Sequence, residues 1–279
     1  MKRPDPRVVP LRDDLNIAKI KVKKHHVRVP ITGLYRRASK ASGMDTQLVF
    51  GTSFDVYDIK GRWAWGQEIP SKGKAGYVGY IPLSALAAGT SSPSRRIRTL
   101  RAPIFSKPNL KSQIKMLLPL NALITASAKD AAYRKVEGLG YIHENHCVAA
   151  KYSKGDFVDI AEQHLGLPYI WGGIGPDGLD CSGLVLSSLR AVGRAGPRDT
   201  DMQEKALGKH VEITTRLTGL KRGDLVFWKG HVGIMTNAKT LLHANAYHMG
   251  VTAEPLNEAA RRIAKIAGPI TSIKRFSWA

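Results

Sequence analysis

Cysteine is scarce in this chain: 279 residues hold only Cys147 and Cys181. Two cysteines are too few for a disulfide framework. The fold must therefore rest on apolar cores, and the length leaves room for two or three domains. A single Cys147–Cys181 bridge is conceivable, but it would silence any chemistry at Cys181, and a reducing compartment disfavours it. Long apolar runs are missing too. No stretch reaches the roughly 18 apolar residues of a membrane-spanning helix. The start, Met1-Lys2-Arg3-Pro4-Asp5-Pro6-Arg7, stays polar where a secretory signal needs about 7–15 apolar residues. The expectation is a cytoplasmic protein, or one exported by a route that the sequence does not show. Acidic residues are few: 22 against 43 basic ones, for a net charge of +21. Residues 1–40 carry 12 Lys/Arg and three acids, and none is acidic from Ile69 to Lys129. Such a surface attracts nucleic acid, anionic polymers or anionic lipid, or it is simply a solvated basic face. No aromatic-interleaved basic motif accompanies it, which argues against nucleic acid.

What is present changes in texture along the chain. Residues 1–23, charged and carrying Pro4, Pro6 and Pro10, read as a basic arm. Residues 24–88 alternate apolar and polar side chains, as in Gln47-Leu-Val-Phe and Phe54-Asp-Val-Tyr-Asp-Ile, with turns at Gly51 and Lys60-Gly61. This predicts short strands of a small barrel. A Gly/Ser/Pro linker follows Ala88, and residues 89–150 repeat the texture. Gly76-Tyr-Val-Gly-Tyr-Ile and Glu137-Gly-Leu-Gly-Tyr-Ile echo one another, and each resembles the closing strand of a bacterial SH3-like domain. From Asp156 a helical spacing appears at 157, 158, 160, 161 and 165, with Asp156 as N-cap and Gly166 as stop. Leu184–Val192 reads as a second helix. Leu225–Trp228, Val232–Met235 and Thr240–Ala244 read as consecutive antiparallel strands.

The chemistry gathers in residues 168–243. Cys181 follows a Gly-rich loop and opens an apolar helix. A thiolate at a helix N-terminus gains from the dipole and free backbone N–H groups, so a lowered pKa is expected. A lone cysteine is more commonly buried and inert, but the Asp180-Cys-Ser-Gly setting argues for close backbone approach. A thiol nucleophile needs a base, and the base an orienting group. His231 begins one strand and His243 lies on the next, twelve residues on. Antiparallel pairing would set the imidazoles side by side, His231 taking the thiol proton and His243 fixing its tautomer.

Tyr169-x-Trp-Gly-Gly, Asp180-Cys-Ser-Gly-Leu-Val, Pro197-Arg-Asp-Thr-x-x-Gln, Gly223-Asp-Leu-Val-Phe-Trp and Gly230-His-Val-Gly-Ile resemble, in order, the motif series of the NlpC family of papain-like cysteine peptidases of peptidoglycan. The resemblance covers about residues 151–279. The N-terminal half resembles the SH3-like modules of the family's γ-D-glutamyl-L-diamino acid endopeptidases. The resemblance implies that Cys181 is the nucleophile, His231 the base and His243 the third catalytic residue. It implies that Tyr169 completes the oxyanion hole with the Cys181 amide, and that Asp180 binds the amine of a substrate's N-terminal L-Ala. Ser182, Trp171, Arg198, Asp199 and Thr200 would line the pocket, and Tyr77 or Tyr80 of the first barrel would cap it. Two positions depart from the branch: Gly51-Thr52-Ser53 where a glutamate is common, and Lys74-Ala75-Gly76 where an acid often precedes the barrel tyrosine.

The expected fold is α+β, a papain-like domain (151–279) preceded by two small SH3-like β-barrels (24–88 and 89–150). The expected partners are short peptidoglycan stem peptides, with an anionic polymer on the basic half. No cofactor is expected. A metal site at His143/His146/Cys147 or His243/His248 is disfavoured because neither spacing matches a common zinc pattern. The remaining rivals are a hydrolase of intact wall, a non-catalytic SH3-like binder, and an acyltransferase or amidase on the same scaffold.

Overall fold

The computed structural model describes residues 5–12, 14–71, 76–214 and 216–277. Met1–Pro4 of the arm, and Lys74 and Ala75 before the barrel tyrosine, lie outside them. The chain divides into two compact units between Tyr152 and Ser153.

In the N-terminal unit, β1 (Lys23–Val27), β2 (Ile31–Tyr35), β3 (Met44–Val49), β4 (Ser53–Lys60), β5 (Trp63–Ile69), β6 (Val78–Pro82) and β7 (Leu86–Ala88) form one antiparallel sheet, ordered β3-β2-β6-β5-β4-β1-β7. Its alternating apolar residues point inward: Val27, Leu34, Leu48, Phe54, Val56, Ala64 and Ile81 are buried. The arm lies on this sheet. Gln67 donates to the Val8 carbonyl, and Arg12 pairs with Asp58 and stacks over Trp65.

A second small core follows. It is built from β8 (Arg95–Ile97), β9 (Arg101–Phe105), β10 (Ile114–Pro119), β11 (Leu123–Ile124), β12 (Tyr133–Val136), β13 (Gly140–His143) and β14 (Cys147–Ala149), in sheets β10-β9-β13-β12 and β11-β8-β14. The sequence echo has a structural counterpart: β6 and β13 each run into a 3-10 turn (Leu83–Ala85, Glu144–His146) and then a short strand. The two cores meet at Gly51, where Phe50 accepts from the Leu123 amide.

The C-terminal unit is α+β. It holds α1 (Phe157–Glu162), β15 (Ile174–Gly175), β16 (Gly178–Leu179), α2 (Cys181–Ala191), α3 (Thr200–Ala206), β17 (Lys209–Val211), β18 (Leu225–Trp228), β19 (His231–Met235), β20 (Thr240–Asn245), β21 (Gly250–Pro255), α4 (Leu256–Ala267) and β22 (Ser272–Arg275). Six strands form one antiparallel sheet, ordered β17-β22-β18-β19-β20-β21. Period-two alternation sorts its side chains. Leu225, Phe227, Val232, Ile234, Leu242 and Ala244 meet α1 and α2. Val226, Trp228, Met235 and Leu241 meet α4 through Leu256 and Ala259. Along α4, Leu256, Ala259, Ala260, Ile263 and Ala267 carry a helical period.

Gly51 and Gly61 provide a matched test. Both have positive φ, +79° and +58°. A Cβ on Gly51 would sit 2.1 Å from the Leu123 carbonyl oxygen, whereas one on Gly61 meets nothing within 4 Å. Gly61→Ala should cost only the left-handed strain, about 1 kcal/mol. Gly51→Ala should cost clearly more, read as a larger drop in Tm.

Candidate active site

Cys181 is the first residue of α2, and Asp180 is its N-cap. The carboxylate of Asp180 is fully engaged. Oδ1 accepts from the Gly183 amide (2.7 Å), Ser182 Oγ (3.2 Å) and Arg198 Nη1 (2.9 Å). Oδ2 accepts from the Gly172 amide (2.8 Å) and Arg198 Nη2 (2.6 Å). Arg198 Nη1 also donates to Ser182 Oγ at 2.8 Å. Asp180, Ser182 and Arg198 are all buried. The Trp-Gly-Gly loop, the helix start and the Arg-Asp-Thr loop are thereby tied into one network. Gln203 of α3 adds to it, donating to the carbonyls of Ser182 and Pro197. Gly183 is required by the same closeness, since a Cβ there would lie 2.0 Å from the Gly173 carbonyl oxygen.

Asp180, Ser182 and Arg198 thus engage one another, because a buried charge is tolerated only when paired and hydrogen-bonded.

The thiol lies 3.9 Å from Thr200 Oγ1. The backbone amides of Val232 and Ser182 and the Thr200 hydroxyl favour its ionised form, but burial, and then the Asp180 charge, push its pKa up to about 11. The expectation of a lowered pKa is therefore corrected: desolvation outweighs the helix terminus. Burial, with His243 and Arg262 behind it, takes His231 down to about 3. At neutral pH the pair rests as thiol and neutral imidazole. Sγ makes no hydrogen bond to either imidazole among the described residues, and catalytic contacts of this kind often tighten only around substrate. Val232, next to His231, is the link between thiol and base.

His231 and His243 are brought together. With Ile234 opposite Leu242, they are diagonal neighbours on one sheet face, and His231 Nε2 lies 2.8 Å from His243 Nδ1. His243 is fully buried. Its Nε2 lies 2.7 Å from Glu254 Oε1, and Glu254 is clasped through both oxygens by Arg262 of α4. Sequence reasoning missed Glu254 and Arg262. The available signal was alternation on β21, which puts Glu254 opposite Leu241 and so diagonal to His243.

Tyr169 is half-buried; its hydroxyl is held well above its usual range by burial and then by the neighbouring charges of Cys181 and Asp180. Thr200 is buried against the thiol and Asp199 half-buried beside it. Trp171 is 67% exposed and is not part of the buried network. Tyr77 and Tyr80 belong to the first barrel: Tyr77 is buried, and Tyr80 sits on β6 opposite Trp65 and Tyr35. Among the described residues, His243, His248 and Glu254 bring possible metal-ligand atoms within 4.8 Å of one another. Arg262 already occupies both Glu254 oxygens, which opposes a cation there.

Residues 166–264 match the model of the NlpC/P60 family, and residues 34–86 match that of the bacterial dipeptidyl-peptidase Sh3 domain. The gamma-D-glutamyl-L-lysine dipeptidyl-peptidase of Bacillus subtilis strain 168 is 31% identical over 224 residues, 72% of each chain. This chain belongs to the NlpC/P60 family. It is a peptidase of the family's peptidoglycan-directed type. The Bacillus cereus dipeptidyl-peptidase of the same name is 27% identical over 249 residues, 78% of this chain and 72% of the relative. A solved NlpC/P60 protein of Bacillus cereus ATCC 10987 superposes with a TM-score of 0.75 at 20% identity, covering 91% of this chain and 99% of that one. That likeness is one of fold, and it spans the barrels as well as the papain-like unit.

Two outcomes follow from the geometry. Alkylation of Cys181 by iodoacetamide should keep accelerating as pH rises toward about 11, whereas a free thiol of pKa about 8.5 levels off earlier. Arg198→Met leaves Asp180 charged, buried and unpaired. It should destabilise the unit by about 3–5 kcal/mol, measured by chemical denaturation.

Proposed function

We propose that this protein is a cysteine peptidase cutting the γ-D-Glu–diamino acid bond of peptidoglycan stem peptides that carry a free N-terminal L-Ala. The observation that carries this reading is the buried chain of contacts from His231 through His243 to Glu254, beginning beside the thiol of Cys181. Such a chain suits a base that must take and return a proton. The two Bacillus relatives, named gamma-D-glutamyl-L-lysine dipeptidyl-peptidases, support the choice of bond.

In the proposed reaction His231 takes the thiol proton as Sγ attacks the γ-carbonyl carbon of D-Glu. The Cys181 amide and the Tyr169 hydroxyl stabilise the oxyanion. The imidazolium returns its proton to the leaving amine of the diamino acid, leaving a thioester. His231 then deprotonates water, which attacks the thioester carbonyl; the C–S bond breaks, L-Ala-γ-D-Glu leaves, and the imidazolium returns its proton to Cys181 Sγ.

Incubation with L-Ala-γ-D-Glu-diaminopimelate should yield L-Ala-γ-D-Glu by mass spectrometry. Cys181→Ala should abolish it, and cleavage surviving that change would refute the mechanism. Acetylation of the substrate's N-terminus should lower kcat/KM by about 10-fold or more, in line with an unpaired buried charge. Equal turnover of both substrates would remove the amine requirement.

A further inference from the structure

We infer that Glu254, held by Arg262, is a positioning residue that fixes which ring nitrogen of His231 is free to take a proton. The inference rests on the reading above only in treating His231 as the base.

The relay crosses three neighbouring strands, with His231 on β19, His243 on β20 and Glu254 on β21. Arg262 of α4 donates to both oxygens of Glu254 and stacks over the Tyr247 ring, 4.3 Å away. Burial alone would lift the Glu254 carboxyl, but the hydrogen bonds from Arg262 and His243 outweigh it and hold its pKa below the ordinary value. Glu254 is therefore an anion, and a carboxylate only accepts. The 2.7 Å contact with His243 Nε2 then requires the proton of that ring on Nε2. A neutral imidazole carries one N–H, so His243 Nδ1 is an acceptor. The 2.8 Å contact with His231 Nε2 places the His231 proton on Nε2. The lone pair of His231 is left on Nδ1, the nitrogen that no described neighbour engages.

His243 is 0% exposed, so water does not compete to reset this order. The other groups near the relay do not reverse it. His248 is held through Nδ1 by Asn245 and Thr252 on the neighbouring strands, and Glu258 of α4 acts on Arg262.

Arg262 also makes the arrangement directional. In Glu254→Gln the guanidinium, a pure donor, takes the amide oxygen, and the amide NH2 is turned toward His243 Nε2. The same distances are then satisfied by the opposite set of protons: His243 Nδ1–H donates to His231 Nε2, and His231 carries its proton on Nδ1. A ring in that state has no lone pair facing away from His243. The expected consequence is a loss of kcat rather than of binding, of about 10–100-fold, as when a group orienting a reactive side chain is removed.

Two-bond proton–nitrogen spectra of the full chain labelled with 15N-histidine read the tautomers directly, with assignments from His231→Gln and His243→Gln. The expected spectrum has both rings protonated at Nε2. Glu254→Gln should move the His231 proton to Nδ1 and lower kcat with KM within about twofold, and Glu254→Asp should restore both. A wild-type His231 protonated at Nδ1 would overturn the inference, and that measurement needs no variant. So would a folded Glu254→Gln protein with unchanged spectrum and kcat, or one whose lost activity is matched by a lower Tm while its tautomers stay as in wild type. Failure of the wild-type protein to cut any stem peptide would instead count against the peptidase reading, with the spectrum still deciding the tautomer.

Discussion

The buried pair of Asp180 and Arg198 holds two loops to the first turn of α2. Its two oxygens collect two backbone amides, a serine hydroxyl and both ends of a guanidinium. Without it, the Trp-Gly-Gly loop, the thiol and Thr200 would have no common anchor. The pair is costly to desolvate and is retained where geometry matters more than net stability. Its bidentate form supplies direction as well as charge balance. Glycines at 173 and 183 allow the backbones to approach closely enough for the pair to close.

A second consequence of burial is the neutral resting state of the reactive pair. Asp180 serves as anchor, yet its charge also discourages the thiolate beside it. Desolvation acts in the same direction on Cys181 and disfavours the cation on His231. The nucleophile is thus formed during attack rather than stored beforehand. Such a site depends more than an ion-paired one on the orientation and basicity of its imidazole. That dependence gives the depth of the relay its importance: the carboxylate ending the line is on β21, and its partner is on α4, the helix that covers the face away from α1 and α2.

The N-terminal unit concentrates the positive charge of the chain and contains two small cores that touch at Gly51. Its repeated strand, 3-10 turn and short strand show one solution used twice, with different surfaces. Ionic and cation–π contacts hold the basic arm to the first core, so part of its charge is structural: Arg12 is engaged with Asp58 and Trp65.

Much of this was legible in the chain itself. Cys181 at a helix start, His231 and His243 on neighbouring strands, and the α+β class with its SH3-like preface follow from spacing, turn chemistry and motif order, because these are local properties of the backbone. The employment of the charged residues was not legible. Asp180 and Arg198 are eighteen positions apart, and only packing decides that they neutralise each other. Glu254 and Arg262 looked like ordinary surface charges on an unassigned stretch until the strand register set the first diagonal to His243 and α4 set the second upon it. The same holds for the pKa of Cys181, where the sequence announces a helix terminus but not the depth at which it is buried. The sequence by itself determined which atoms are available for chemistry. The tertiary structure decided which of them are already occupied, because pairing and desolvation depend on distances that no local pattern encodes.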